Sequence, residues 1–149
     1  MEKTPSVHVT LAQSYLVYFV CSIIGLFIDT FVGFGIHLSY ANPITLACFV
    51  VGTLLILWAQ ATSRRYSAEQ AVGAYFYRGP YRYMRNPTHL GMVFLVTGYT
   101  LVSGSIFFFL ITIIGYVVSN ILFHKYEAIL DRTYGKEYKD YQKTVPKIL

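Results

Sequence analysis

The sequence predicts an all-α integral membrane protein. We expect a single domain over 1–149 with four transmembrane helices, the last two forming a helical hairpin, then a short interfacial helix at the cytoplasmic C-terminus. Three observations carry this. Of the 149 residues, 55% are hydrophobic and only 13% are charged, against about 25% charged in an ordinary soluble domain. A soluble fold this small needs more polar surface, because small domains are mostly surface. The charges are also clustered, with long uncharged runs between them.

Taken in order, the first run is 11–32, whose one charge is Asp29. It is too long and too weakly basic at its start for a signal peptide, and no small-residue cleavage site follows. The second, 44–61, is uncharged. Two more uncharged runs, 90–102 and 106–123, are separated by Ser103-Gly104-Ser105. A crossing takes roughly 20 helical residues, and 90–123 as one helix would extend about 50 Å. A hairpin turning at Ser-Gly-Ser fits better, so helices are expected at about 86–102 and 106–124. The segments 62–85 and 125–149 become a loop and a tail.

Arg64, Arg65, Arg78, Arg82 and Arg85 lie between helices two and three, and six basic residues follow helix four, whereas the other two connections carry none. By the positive-inside rule both termini and the long loop face the cytoplasm. The +5 net charge is largely this asymmetry, so no nucleic-acid partner is needed to explain it, and a lipid headgroup contact is left open. Cys21 and Cys48 have no Cys-x-x-Cys or Cys/His spacing, which indicates neither a disulfide framework nor a metal site. Asp29 lies near a helix end, where a carboxylate reaches the interface. Gly91, Gly98, Gly115 and Ser119 suit close helix packing, and a homodimer is compatible with them.

The unusual residues gather between Tyr75 and Glu127. Asn is a preferred N-cap and Pro a preferred first helical residue, so helix three starts at Asn86-Pro87 and His89 falls in its first turn. Unpaired N–H groups, the helix dipole and the preceding Arg85 make an anion site there. For a turn near Gly104, residues at equal depth sum to about 208. That puts Arg85 near His124 and His89 near Ser119–Asn120, with Glu127 one turn beyond His124. Arg85, His89, Asn120, His124 and Glu127 then line one cytoplasmic cleft. More plainly, Arg85 and Glu127 are a salt bridge pinning the hairpin; spacing alone leaves both readings open. Tyr134, Tyr138 and Tyr141 form a helical stripe in the tail, expected at headgroup level with Tyr75, Tyr77, Tyr81 and Tyr83 of the loop; for all of them packing or interfacial anchoring is favoured over ligand contact.

Residues 79–91, Gly-Pro-Tyr-Arg-Tyr-Met-Arg-Asn-Pro-Thr-His-Leu-Gly, resemble the Arg-His-Pro-x-Tyr-x-Gly signature of the isoprenylcysteine carboxyl methyltransferase and phospholipid methyltransferase superfamily. Glu127, the run from Tyr134-Gly135 to Tyr141, and Val145-Pro146 resemble that superfamily's acidic position and aromatic tail. Leu57-Trp58-Ala59 is similar to its pattern as well, so the resemblance covers about 57–149. It implies a membrane-embedded methyltransferase that uses S-adenosylmethionine and a lipophilic acceptor from the bilayer. Arg85, His89 and Glu127 take the catalytic positions. With Asn86, Pro87, Gly91, Asn120 and His124 they would bind the cofactor. Asn86 stands for the usual His, His89 for Tyr, and Tyr126 for a second acid. An amine or thiol acceptor would need a base, for which His89 and His124 are candidates; a carboxylate acceptor would need none. The alternatives are an NADPH-dependent membrane reductase of the sterol reductase type and a non-catalytic membrane partner protein.

Overall fold

The computed structural model describes residues 7–32, 43–68 and 76–147. Helix α1 is Val7–Val32 and α2 is Pro43–Ala68. A 3-10 turn at Gly79–Arg82 precedes α3, Pro87–Ser103. Helix α4 is Ile106–Tyr134 and α5 is Lys136–Thr144. The all-helical expectation holds throughout the described residues. Two of these helices, over Pro43–Ser63 and Phe107–Tyr134, are long and apolar enough to cross a membrane. The side chains of Asp29, Arg64 and Arg65, and all of Tyr75, lie outside the described residues.

Helices α3 and α4 meet at the expected turn. Gly104 closes α3 in the left-handed conformation at φ 62°, and Ser105 caps α4 by accepting from the Phe108 N–H. Their arms contact each other little, however. Helix α3 packs mainly on α2, and α4 packs mainly on α1. The hairpin is therefore opened by its outer partners, which leaves space between its arms.

Small residues set the α2–α3 contact. A Cβ on Gly91 would lie 2.6 Å from Ile56 Cγ1 and 2.9 Å from the Gly52 carbonyl oxygen, and one on Gly52 would lie 2.7 Å from that of Gly91. Backbone touches backbone here, as apolar helices require where lipid already solvates their side chains. Gly91→Leu is expected to force the helices apart and cost about 1–3 kcal/mol. Gly115→Ala, whose new methyl would meet Cys21 Sγ at an ordinary 3.6 Å, is expected to be tolerated. Thermal midpoints of both variants in one detergent check the contrast.

Large apolar side chains cover the outside, including Phe31 at 74% exposure, Leu46 at 66% and Phe19 at 62%. Exposed apolar area on this scale marks contact with lipid or a partner rather than water. Helix α3 contributes none of these large exposed side chains; it is the interior helix, and its start carries the candidate site.

Two helix ends differ from expectation. Helix α2 continues to Ala68 and α4 to Tyr134, well past 61 and 124. In α4 the reason is a second apolar stripe. Phe123, Tyr126 and Leu130 recur at helical spacing among charged residues and are buried against the tail, so the helix has packing to extend it beyond the apolar run.

Candidate functional site

Helix α3 begins as its sequence dictates. The Asn86 side chain accepts from the His89 N–H at 3.3 Å, and Pro87 at the first helical position is fully buried. Just before the cap, Arg85 forms an ion pair with Glu127 of α4, with both side chains mostly buried (15% and 12% exposed). Tyr138 of α5 donates a hydrogen bond to the same carboxylate oxygen at 3.4 Å, and the Arg85 N–H donates to the Pro146 carbonyl at 3.4 Å. Four chain segments thus converge on one guanidinium–carboxylate pair. The ion pair is compatible with both readings, and the tail contacts it as well as the hairpin.

Of packing and interfacial anchoring, two of the tail tyrosines show packing. Tyr138 and Tyr141 are 1% and 2% exposed and form a core with Phe76, Phe123, Tyr126, Leu130 and Val145. Tyr134 belongs to the end of α4, and Gly135 breaks the stripe. Phe76 stacks on Tyr141 with centroids 5.0 Å apart and meets Tyr134 edge-on at 5.1 Å. The Tyr141 hydroxyl donates to the Tyr81 carbonyl at 2.7 Å. These tyrosines build an aromatic cap over the C-terminal end of α4. Tyr77 and Tyr83 do remain exposed. Tyr126, at the position of a second acid, points into this cap, where an aromatic ring fits and an unpaired carboxylate would not.

Burial pushes the Tyr138 and Tyr141 phenols well above the usual tyrosine range, and the Glu127 charge adds to the shift at Tyr138. A proton held more tightly in the folded state stabilises the fold below the unfolded value, near 10, and that contribution is lost as pH rises above it. The cap is therefore expected to open cooperatively above about pH 10, with tyrosinate absorbance and loss of aromatic circular dichroism appearing together. Ionisation of the buried pair without loss of that signal would count against it.

Deeper in the bundle is a polar cluster from three helices. His89 is 6% exposed, and its Nδ1 lies 3.3 Å from the Tyr18 hydroxyl of α1. The Tyr116 ring of α4 is 5.5 Å from the imidazole, one turn from the expected Ser119–Asn120 level. Among the described residues, Arg85 Nε, His89 Nε2 and Ser119 Oγ are buried without a hydrogen-bond partner.

The other expected residues are placed as follows. His124 is exposed, with its Nε2 3.3 Å from the Lys147 ammonium. Asn120 is half-buried and its amide donates to Tyr116 of its own helix at 3.5 Å. Gly91 faces α2 rather than a cleft. Sequence reasoning missed Tyr18, Tyr138 and Lys147. Tyr18 carried one usable signal, a hydroxyl inside an apolar run. Beside the cluster, an apolar cavity of about 310 Å³ lies between the helices, lined by Leu26, Phe49, Met92, Leu95, Tyr99 and Phe108 among others. No metal-binding cluster is present among the described residues.

The chain matches the family described as phospholipid methyltransferase over residues 44–137. The match includes Arg85, His89 and Glu127, and leaves out Tyr18 and Lys147. Neither the curated proteins nor the solved structures give a match.

Proposed function

We propose, for a chain that belongs to the phospholipid methyltransferase family, methyl transfer from S-adenosylmethionine to a lipophilic acceptor at the cytoplasmic face of a membrane. The observation that carries this reading is the Arg85–Glu127 pair closed over the start of α3, beside buried polar atoms that lack partners. A polar ligand of mixed charge completes such a set, and S-adenosylmethionine, with a carboxylate, an ammonium and a sulfonium, has that character. When bound it supplies an electrophilic methyl group.

The chain's own residues hold and orient. Among the described residues both contacts to the Glu127 carboxylate go to Oε1, so its other oxygen is left to attract an ammonium or a ribose hydroxyl. The first turn of α3 and Arg85 offer N–H groups to a carboxylate. His89 lies one helical turn before Met92, which lines the apolar cavity. That cavity accepts a hydrocarbon chain and keeps water from the transfer, and alignment in such a site supplies up to about 7–11 kcal/mol. In this reading α1 to α4 all cross the bilayer, and both termini are cytoplasmic.

The test is S-adenosylmethionine titration of the protein in nanodiscs by calorimetry, with NADPH as competitor. Saturable binding that NADPH does not displace is the expected result. A folded sample that binds neither sinks the proposal, and NADPH binding turns it toward a reductase. A second expected result concerns the cavity. Leu95→Trp should slow transfer to long-chain acceptors by tenfold or so, about 1.4 kcal/mol, while leaving S-adenosylmethionine affinity unchanged.

A further inference from the structure

We infer that one face of α1 grips a single hydrocarbon chain of the acceptor and sets which chains fit. The family match over 44–137 leaves α1 out, yet α1 reaches both the polar cluster and the apolar cavity. Tyr18, Ser22 and Leu26 recur every four residues and so share one face of the helix. The Tyr18 hydroxyl lies 3.3 Å from His89 Nδ1, while Ser22 and Leu26 line the cavity. Between the two, Tyr18, Cys21, Ser22, Val96 and Phe108 help to bound a narrower void that is too tight for water. One wall of α1 therefore runs from His89 to the cavity.

The cavity has the size and direction of one chain. Its α3 lining runs from Met92 to Tyr99, about 10 Å at the helical rise, and starts one turn past His89. Its volume of about 310 Å³ holds about ten methylene-sized groups if each takes roughly the 30 Å³ of a water in the liquid. That is room for one chain and not for two.

Close contacts shape the two sides. A Cβ on Gly25 would lie 2.7 Å from Phe108 Cδ2, so α1 meets the Phe108 ring with bare backbone there. The Phe108 and Tyr99 rings lie 4.5 Å apart between centroids, and of the α3 and α4 side chains that line the cavity they stand nearest the hairpin turn. Ser22 is the smallest lining residue. Its hydroxyl donates to the Tyr18 carbonyl at 2.8 Å, so what it offers the cavity is an apolar surface and space. Leu26 lines the cavity and is 42% exposed, which places it at the rim.

That the chain is the acceptor's rests on the function proposed above; that the cavity takes one chain does not. The experiment is photolabelling in nanodiscs with a single-chain phosphoethanolamine lipid carrying a mid-chain diazirine, the labelled residues being read by mass spectrometry. Label on Ser22, Leu26, Leu95 and Tyr99 is expected in wild type and in Ser22→Ala. Ser22→Leu fills the cavity from the α1 side and should cut that label by about tenfold, the scale of overpacking a filled site. Phe108→Leu opens the far end and should extend the label toward the hairpin turn. Helicity checks the fold, and if Ser22→Leu does not fold, Leu26→Trp at the exposed rim carries the same expectation. Label confined to outward side chains such as Phe19, Phe27 and Phe31, or undiminished by the filling variant, overturns the assignment. A two-chain lipid with one labelled chain should mark these positions more weakly; equal label means that both chains fit and overturns the single-chain reading. Transfer of a radioactive methyl group from S-adenosylmethionine into a total lipid extract should slow with the loss of label, at unchanged S-adenosylmethionine affinity. Transfer that does not slow shows that the chain is not the acceptor's. Cavity label in protein that binds no S-adenosylmethionine sinks the proposed function and leaves α1 in its role.

Discussion

Glu127→Gln is expected to weaken S-adenosylmethionine binding and methyl transfer by roughly 30- to 150-fold, about 2–3 kcal/mol. The estimate starts from the 3–5 kcal/mol typical of breaking a fully buried ion pair, reduced because the two side chains keep 15% and 12% exposure. Glutamine keeps the shape and one oxygen for Tyr138, so the loss is mainly charge. Arg85 is then left mostly buried without its counter-ion, and among the described residues its Nε already lacks a partner. Arg85→Ala should cost a similar amount, and the double variant little more than either single change, because both remove one interaction. Additive losses would mean that Arg85 and Glu127 serve the ligand independently. Unchanged binding in Glu127→Gln would reduce the pair to a structural pin. Arg85→Lys separates charge from geometry, since an ammonium cannot reproduce a planar guanidinium donor.

The pair was legible because hairpin register is simple arithmetic once the turn is fixed, and Ser103-Gly104-Ser105 fixed it. Arg85 meets Glu127 rather than His124, a displacement of one helical turn. Capping at Asn86-Pro87 was legible for a local reason, since a cap is made by residues adjacent in sequence. The aromatic cap was not. Phe123, Tyr126 and Leu130 share a face with apolar spacing, but Lys125 and Glu127 between them and Asp131 and Arg132 after them give the segment the composition of a solvated tail. Tyr138 and Tyr141 then read as interface anchors, because amphipathic tyrosines suit both a headgroup region and a half-polar core. Their partner Phe76 lies in a loop whose path no local pattern specifies. Tyr18 was hidden differently. Nothing in an apolar helix states which of its faces meets α3, and the contact is made by side chains 71 positions apart.

The tail therefore carries a strong prediction of its own. Tyr141→Ala is expected to destabilise the cap by about 3–5 kcal/mol, the range for emptying a buried aromatic site. It removes the ring stacked on Phe76 and the hydrogen bond that holds the Tyr81 carbonyl. With α5 released, Pro146 no longer meets Arg85 and Tyr138 no longer meets Glu127, so the pair loses both tail contacts although neither of its residues has changed. Tyr141→Phe keeps the ring and loses only the hydroxyl, for about 1 kcal/mol. Limited trypsin digestion reads the difference, because Lys136, Lys139 and Lys143 flank the buried tyrosines. Fast cleavage there in Tyr141→Ala, slow cleavage in wild type and Tyr141→Phe, and unchanged helicity of α1 to α4 are expected. S-adenosylmethionine affinity should fall in step with cleavage rate. Affinity that survives the release of α5 would show that the Arg85–Glu127 pair needs no cap to hold its ligand.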